Sequence, residues 1–136
     1  MLAFVLDASV TLNWAFPDED HPAALRAEQL LQSSEGSALV PSLWWYEVRN
    51  ILIVNERRGR TTPLKTTGFL KAISELSIVT DFSQDESSVL EITRQFRLTV
   101  YDAAYLALAM RERIPLATLD QALQKAAQAA GVPMLA

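Results

Sequence analysis

The chain has 136 residues, about half hydrophobic and about a fifth charged, with no cysteine, one histidine and a formal net charge of −4. That composition excludes a disordered chain, a disulfide scaffold, thiol catalysis and thiolate or multi-histidine metal sites, so a metal bound by this chain must be held by oxygen. The length is that of one domain, 1–136, and the acidic balance weighs against a surface built for nucleic acid.

Leu2-Ala-Phe-Val-Leu6 is a short continuous apolar run, the pattern of a strand buried on both faces. It is too short to span a membrane and lacks the basic flank and cleavage site of a secretory signal, so a cytoplasmic protein is expected. Asp7-Ala-Ser9 leads into a helix up to Phe16, ended by Pro17. Asp18-Glu-Asp20 reads as an acidic loop, and Pro22 to Gln32 as an amphipathic helix with Leu25, Leu30 and Leu31 on its buried side. Ser37 to Val40 is a second strand; a helix capped by Ser42 then runs from Leu43 to about Arg58, where Gly59 stops it. Thr61 to Leu76 opens Thr-Thr-Pro and continues as a helix weakened by Gly68. Ser77 to Val79 is a small strand, Asp85 to Phe96 a helix, and Leu98 to Val100 a connector into the helix Ala103 to Arg113. Pro115 to Thr118 is the last clear strand, followed by a helix from Leu119 to Ala130 closed by Gly131 and a very short strand after Pro133. Strands alternating with longer helices imply an α/β fold with a mainly parallel sheet and helices on both faces. Such sheets bind ligands beyond the carboxyl ends of their strands.

Four acids stand where apolar segments end or turn into helices: Asp7, Glu47, Asp102 and Asp120. Asp7 follows the first strand, and Asp120 repeats that strand, acid, helix arrangement at the last one. Helix N-capping would account for Asp7, Asp102 and Asp120 one at a time. Glu47 is different, because it shares a helical stripe with Trp44, Val48 and Ile51; a salt bridge to Arg49 is opposed by their spacing of two. Ionised carboxylates in apolar surroundings are costly without compensation, so four of them on separate segments point to one shared cation. Magnesium or manganese suits oxygen ligands of this kind, and phosphodiester hydrolysis is the chemistry such a site performs. Setting the four acids aside leaves equal numbers of acidic and basic residues, which is compatible with RNA as substrate.

These residues and their order resemble the PIN-domain nucleases, and more narrowly the VapC-type toxins of bacterial toxin–antitoxin pairs. The resemblance spans essentially the whole chain. It rests on Val5-Leu-Asp7-Ala-Ser9, Glu47-Val-Arg-Asn50, Tyr101-Asp-Ala-Ala-Tyr-Leu-Ala-Leu-Ala109 and Ala117-Thr-Leu-Asp-Gln-Ala-Leu123. It implies a three-layer α/β/α sandwich, a magnesium- or manganese-dependent endoribonuclease, and a metal-ligand role for Asp7, Glu47, Asp102 and Asp120. It further implies that Ser9 and Thr118 are polar supports of the site, that the chain forms a homodimer, and that a small antitoxin protein blocks it, with DNA contacted only through that antitoxin.

Asn50, one turn after Glu47, is either a hydrogen-bonding support for that carboxylate or a surface residue. Arg57, Arg58 and Arg60 around Gly59 are either a track for an RNA backbone or partners of the helix dipole. Trp14, Trp44, Trp45 and Tyr46 are core, base-stacking or dimer-surface candidates, with one of the adjacent tryptophans more exposed than the other. A haloacid-dehalogenase-like phosphatase would need a second Asp where Ser9 stands, and a phosphoacceptor receiver lacks its acid pair and late lysine here. A PIN-like RNA-processing nuclease outside any toxin pair and a non-catalytic interaction domain remain as alternatives.

Overall fold

The apolar run at the N-terminus forms β1 (Leu2–Leu6), and Phe4, Val5 and Leu6 are all fully buried. Successive side chains of a strand point to opposite faces, so burial of three in a row requires cover on both sides of the sheet. The structure is a computed structural model that describes residues 2–17 and 20–136. Asp18 and Glu19, two of the three residues of the expected acidic loop, lie outside the described residues.

Around β1 the chain builds β2 (Gly36–Pro41), β3 (Ile78–Asp81) and β4 (Leu116–Ala117), all parallel, in the order β3-β2-β1-β4. Phe4 pairs with Ala38, and Leu6 with Ala117. A bridge between Leu116 and Met134 extends the β4 edge, which is the short closing strand expected after Pro133. The helices are α1 (Ala8–Ala15), α2 (Pro22–Gln32), α3 (Leu43–Arg57), α4 (Pro63–Ser74), α5 (Glu86–Phe96), α6 (Val100–Glu112) and α7 (Gln121–Ala129). The chain moves outward from β1 through β2 to β3, then crosses back to β4 on the other side of β1. The strand order therefore reverses between β1 and β4, and a crevice at their carboxyl ends is where such sheets place ligands.

Several expectations shift in detail. Leu25 is exposed, because α2 turns Ala24, Ala27, Leu30 and Leu31 inward and Leu25 points to nearly the opposite side of the helix. Ser42 precedes α3 in a helical conformation and makes no capping bond with its side chain. The third strand starts at Ile78 and runs to Asp81, because pairing with β2 rather than apolar content sets its end. Helix α6 begins at Val100, three residues before the expected Ala103, since Thr99 accepts the backbone N–H of Asp102 at 3.1 Å and caps it. Gly59 and Gly131 follow α3 and α7 with φ of +72° and +78°, the left-handed backbone that makes glycine a helix stop.

Two tryptophans fasten the layer beside the crevice. Trp14 donates to the carbonyl of Ala24 at 2.9 Å and ties α1 to α2, while Trp44 donates to the Thr11 hydroxyl at 3.0 Å and ties α3 to α1. Trp44 is 6% exposed and its neighbour Trp45 49%, the asymmetry expected of the adjacent pair. Trp45 lies beneath the Arg49 guanidinium, 4.1 Å from the ring centroid.

Candidate functional site

Asp7 is the hinge between sheet and helix: its N–H donates to the Ala117 carbonyl at 3.0 Å, and its own carbonyl accepts from Val10 at 3.1 Å. It occupies the N-cap position of α1 without a side-chain capping bond, so capping does not account for its carboxylate. That group is buried, 6% exposed, and its Oδ2 accepts from Ser9 at 2.6 Å and Thr118 at 2.7 Å. Each hydroxyl in turn accepts a backbone N–H, Ser9 from Leu119 at 2.9 Å and Thr118 from Asp120 at 3.1 Å. With those lone pairs engaged, the single proton of each hydroxyl is directed at Asp7.

Glu47 stands one turn along α3 from Trp44, so the bond from Trp44 to Thr11 places it over the start of α1. Its partner is neither Arg49, which donates to the Trp45 carbonyl at 3.2 Å, nor Asn50, which is exposed. It is Tyr105, whose hydroxyl donates to Oε1 at 2.6 Å. Sequence reasoning missed this residue, although Tyr105 lies three positions after Asp102 and shares its face of α6. Asp102 sits in the first turn of α6, partly buried, and Thr99 rather than Asp102 is the cap. Asp120 is exposed instead of drawn inward, and its carboxylate caps α7 by accepting the Leu123 N–H at 2.9 Å.

The four acids nevertheless act on one another. Burial pushes the Asp7 carboxyl above its ordinary range, the Ser9 and Thr118 hydrogen bonds oppose that, and the charge of Asp120 adds to it. Burial also raises Glu47, with Tyr105 opposing and the charges of Asp7 and Asp102 reinforcing. Asp102 is raised by burial and then by Asp120 and Asp7. Among the described residues no Lys or Arg forms an ion pair with any of the four. Nor do three or more His, Cys, Asp or Glu side chains gather tightly enough among those residues to enclose a metal. Among the described residues, the four carboxylates stand apart but within electrostatic reach, without a cationic side chain paired to them.

Replacing Glu47 with Gln keeps an acceptor for Tyr105 while removing a charge. The folded protein holds the Glu47 proton more tightly than the unfolded chain, so the cost of ionisation is absent below about the ordinary value of 4.5 and appears as pH rises above it. In chelator at neutral pH, E47Q is expected to melt a few degrees above the wild type, with the advantage vanishing as pH falls towards 4.5. Circular dichroism melts across pH check this.

Beside Ser9 and Leu119 a groove of about 840 Å³ runs past Asn13 on α1 and Phe16 just beyond its end to Arg60. Arg57, Arg58 and Arg60 are all exposed, and only Arg60 lines that groove.

A family model described as PIN domain matches residues 4–129. Among curated proteins no sequence matches. Among solved structures, PAE2754 from Pyrobaculum aerophilum is 21% identical with a TM-score of 0.72, covering 92% of this chain and 84% of its own. VapC20 of Mycobacterium tuberculosis, a sarcin-ricin loop cleaving toxin, is 12% identical with a TM-score of 0.63, covering 97% of this chain and 98% of its own. VapBC2 from Rickettsia felis, bound to a fragment of its promoter DNA, is 11% identical with a TM-score of 0.65, covering 91% of this chain and 92% of its own. These likenesses cover nearly the whole chain and share its three-layer α/β/α architecture around a parallel sheet, and with the family match running from within β1 to the end of α7 the chain belongs to the PIN-domain family.

Proposed function

We propose that this protein is a divalent-metal-dependent endoribonuclease and the toxin of a toxin–antitoxin pair. The observation that carries the reading is the buried Asp7 carboxylate at the β1–β4 crevice, with Glu47, Asp102 and Asp120 adding negative charge and no cationic side chain among the described residues paired with it. The donor set fits magnesium or manganese in kind: it is all carboxylate oxygen, and these hard ions complete their shell with water. Asp7, Glu47, Asp102 and Asp120 would hold it. When bound, the ion supplies Lewis acidity towards water and phosphate.

The chain's own residues prepare that site. Ser9 and Thr118 hold the Asp7 carboxylate in one orientation and carry no charge that would compete with a cation. Capping ties Asp120 to the first turn of α7, while Thr99 fixes the turn that bears Asp102. The groove beside Ser9 provides the path for RNA, with Arg60 on a phosphate. R60A is expected to raise KM for RNA several-fold and to reduce the slope of log KM against log salt by about one. Steady-state cleavage at several salt concentrations measures both.

The toxin reading draws on the likeness to VapC20 and to the promoter-bound VapBC2. An antitoxin protein as partner, DNA contact made only through it, a homodimer and a cytoplasmic setting belong to the same reading. Tyr46, Leu64, Phe82 and Tyr101 are exposed, the kind of apolar surface that protein partners cover. Among the described residues no helix is long and apolar enough to cross a membrane. Purified chain, freed of any antitoxin, should cut RNA in magnesium or manganese and stop when chelator is added; no cutting in either metal rejects the assignment.

A further inference from the structure

Tyr105 is fully buried, yet its hydroxyl emerges from the core to meet Glu47 Oε1 at 2.6 Å, across 58 residues of sequence. Asp102 and Tyr105 are three residues apart, so one face of α6 brings both an acid and a hydrogen-bond donor to the crevice. Phenylalanine would fill the same core volume. The hydroxyl is the part that filling does not require, and a buried phenol demands a partner.

We propose that Tyr105 is a positioning residue: its hydroxyl occupies Glu47 Oε1 and holds that carboxylate at the crevice, leaving Oε2 as the oxygen offered to the cation. Glutamate has three side-chain torsions, and the charges of Asp7 and Asp102 repel its carboxylate. An untethered Glu47 would relieve that repulsion by swinging towards solvent. Helix position and side-chain orientation are thus set separately: Trp44 anchors α3 through Thr11, and Tyr105 aims the carboxylate one turn later. Supports of this kind are worth about 10- to 100-fold in metal affinity or activity.

The inference rests on the metal-dependent reading above, and Mn²⁺ binding to the purified full chain by calorimetry separates the two. Y105F is expected to weaken Mn²⁺ binding by about tenfold or more and to lower kcat for RNA without raising KM. In an E47A background the same change should cost no further affinity. Wild type that takes up no Mn²⁺ overturns both readings. Wild-type uptake with Y105F binding equally well, or losing as much affinity in the E47A background as alone, overturns this one only. A readout independent of whether Y105F folds is the ultraviolet resonance Raman signature of the tyrosines, as a difference between wild type and E47A. A strong-donor phenol that persists when Mn²⁺ is added supports the assignment; its loss on Mn²⁺ addition, which would mean that Oε1 has gone to the metal, refutes it.

Discussion

Exchanging Asp7 for Asn is expected to lower RNA cleavage by about 10³-fold, on the order of 4 kcal/mol of transition-state stabilisation, while leaving the fold intact. The fold should survive because an asparagine carbonyl oxygen at the Oδ2 position still accepts both the Ser9 and the Thr118 hydroxyls. What disappears is the charge. Asp7 is the most buried of the four acids, so its contribution to a cation is the least weakened by water. D102N should behave alike, since Asp102 is the partly buried acid facing the crevice from α6. Cleavage of a labelled RNA by each variant, with circular dichroism to verify folding, decides the matter; wild-type rates in both would reject the mechanism.

Saturating magnesium or manganese is expected to raise the melting temperature by about 10 °C. A ligand that binds only the folded state at a hundred times its Kd adds about 2.7 kcal/mol. For a chain of this size that corresponds to roughly 3 to 4 °C per kcal/mol. Cation binding acts in the same direction as protonation of Asp7, Glu47 and Asp102, whose carboxyls are all held above their ordinary range when no cation is present. The gain should therefore be larger at neutral pH than near pH 4. Scanning calorimetry with metal and with chelator tests this, and no shift at millimolar metal would mean that the carboxylates are not ligands.

Much of this arrangement was legible in the sequence because it is written in local patterns. The β1 run, the Thr62 cap ahead of Pro63 and the glycine stops after α3 and α7 each follow from short-range rules, and the structure contains them. The acids were found by their position at the ends of apolar segments. The roles of their neighbours depended on tertiary pairing and were harder to read. Ser9 and Thr118 meet at one oxygen of Asp7 only because β4 pairs with β1, and the two-residue length of β4 gives little periodicity to detect. Tyr105 was hidden in an apolar helix whose burial looked like reason enough for an aromatic. Asn50, one turn from Glu47, had the right spacing to support it, but the space that matters is filled from α6. Leu25 was placed inside by its hydrophobicity, whereas close packing of small alanines fixed the rotation of α2.

The Thr118 hydroxyl reaches an acid 111 positions earlier in the chain. During synthesis β1, α1 and α3 leave the ribosome before α6 and β4, so Asp7 and Glu47 are made well ahead of the Thr118 and Tyr105 hydroxyls that hold them. The two-hydroxyl grip on the Asp7 carboxylate is therefore one of the later contacts to form, waiting on a strand more than a hundred residues downstream.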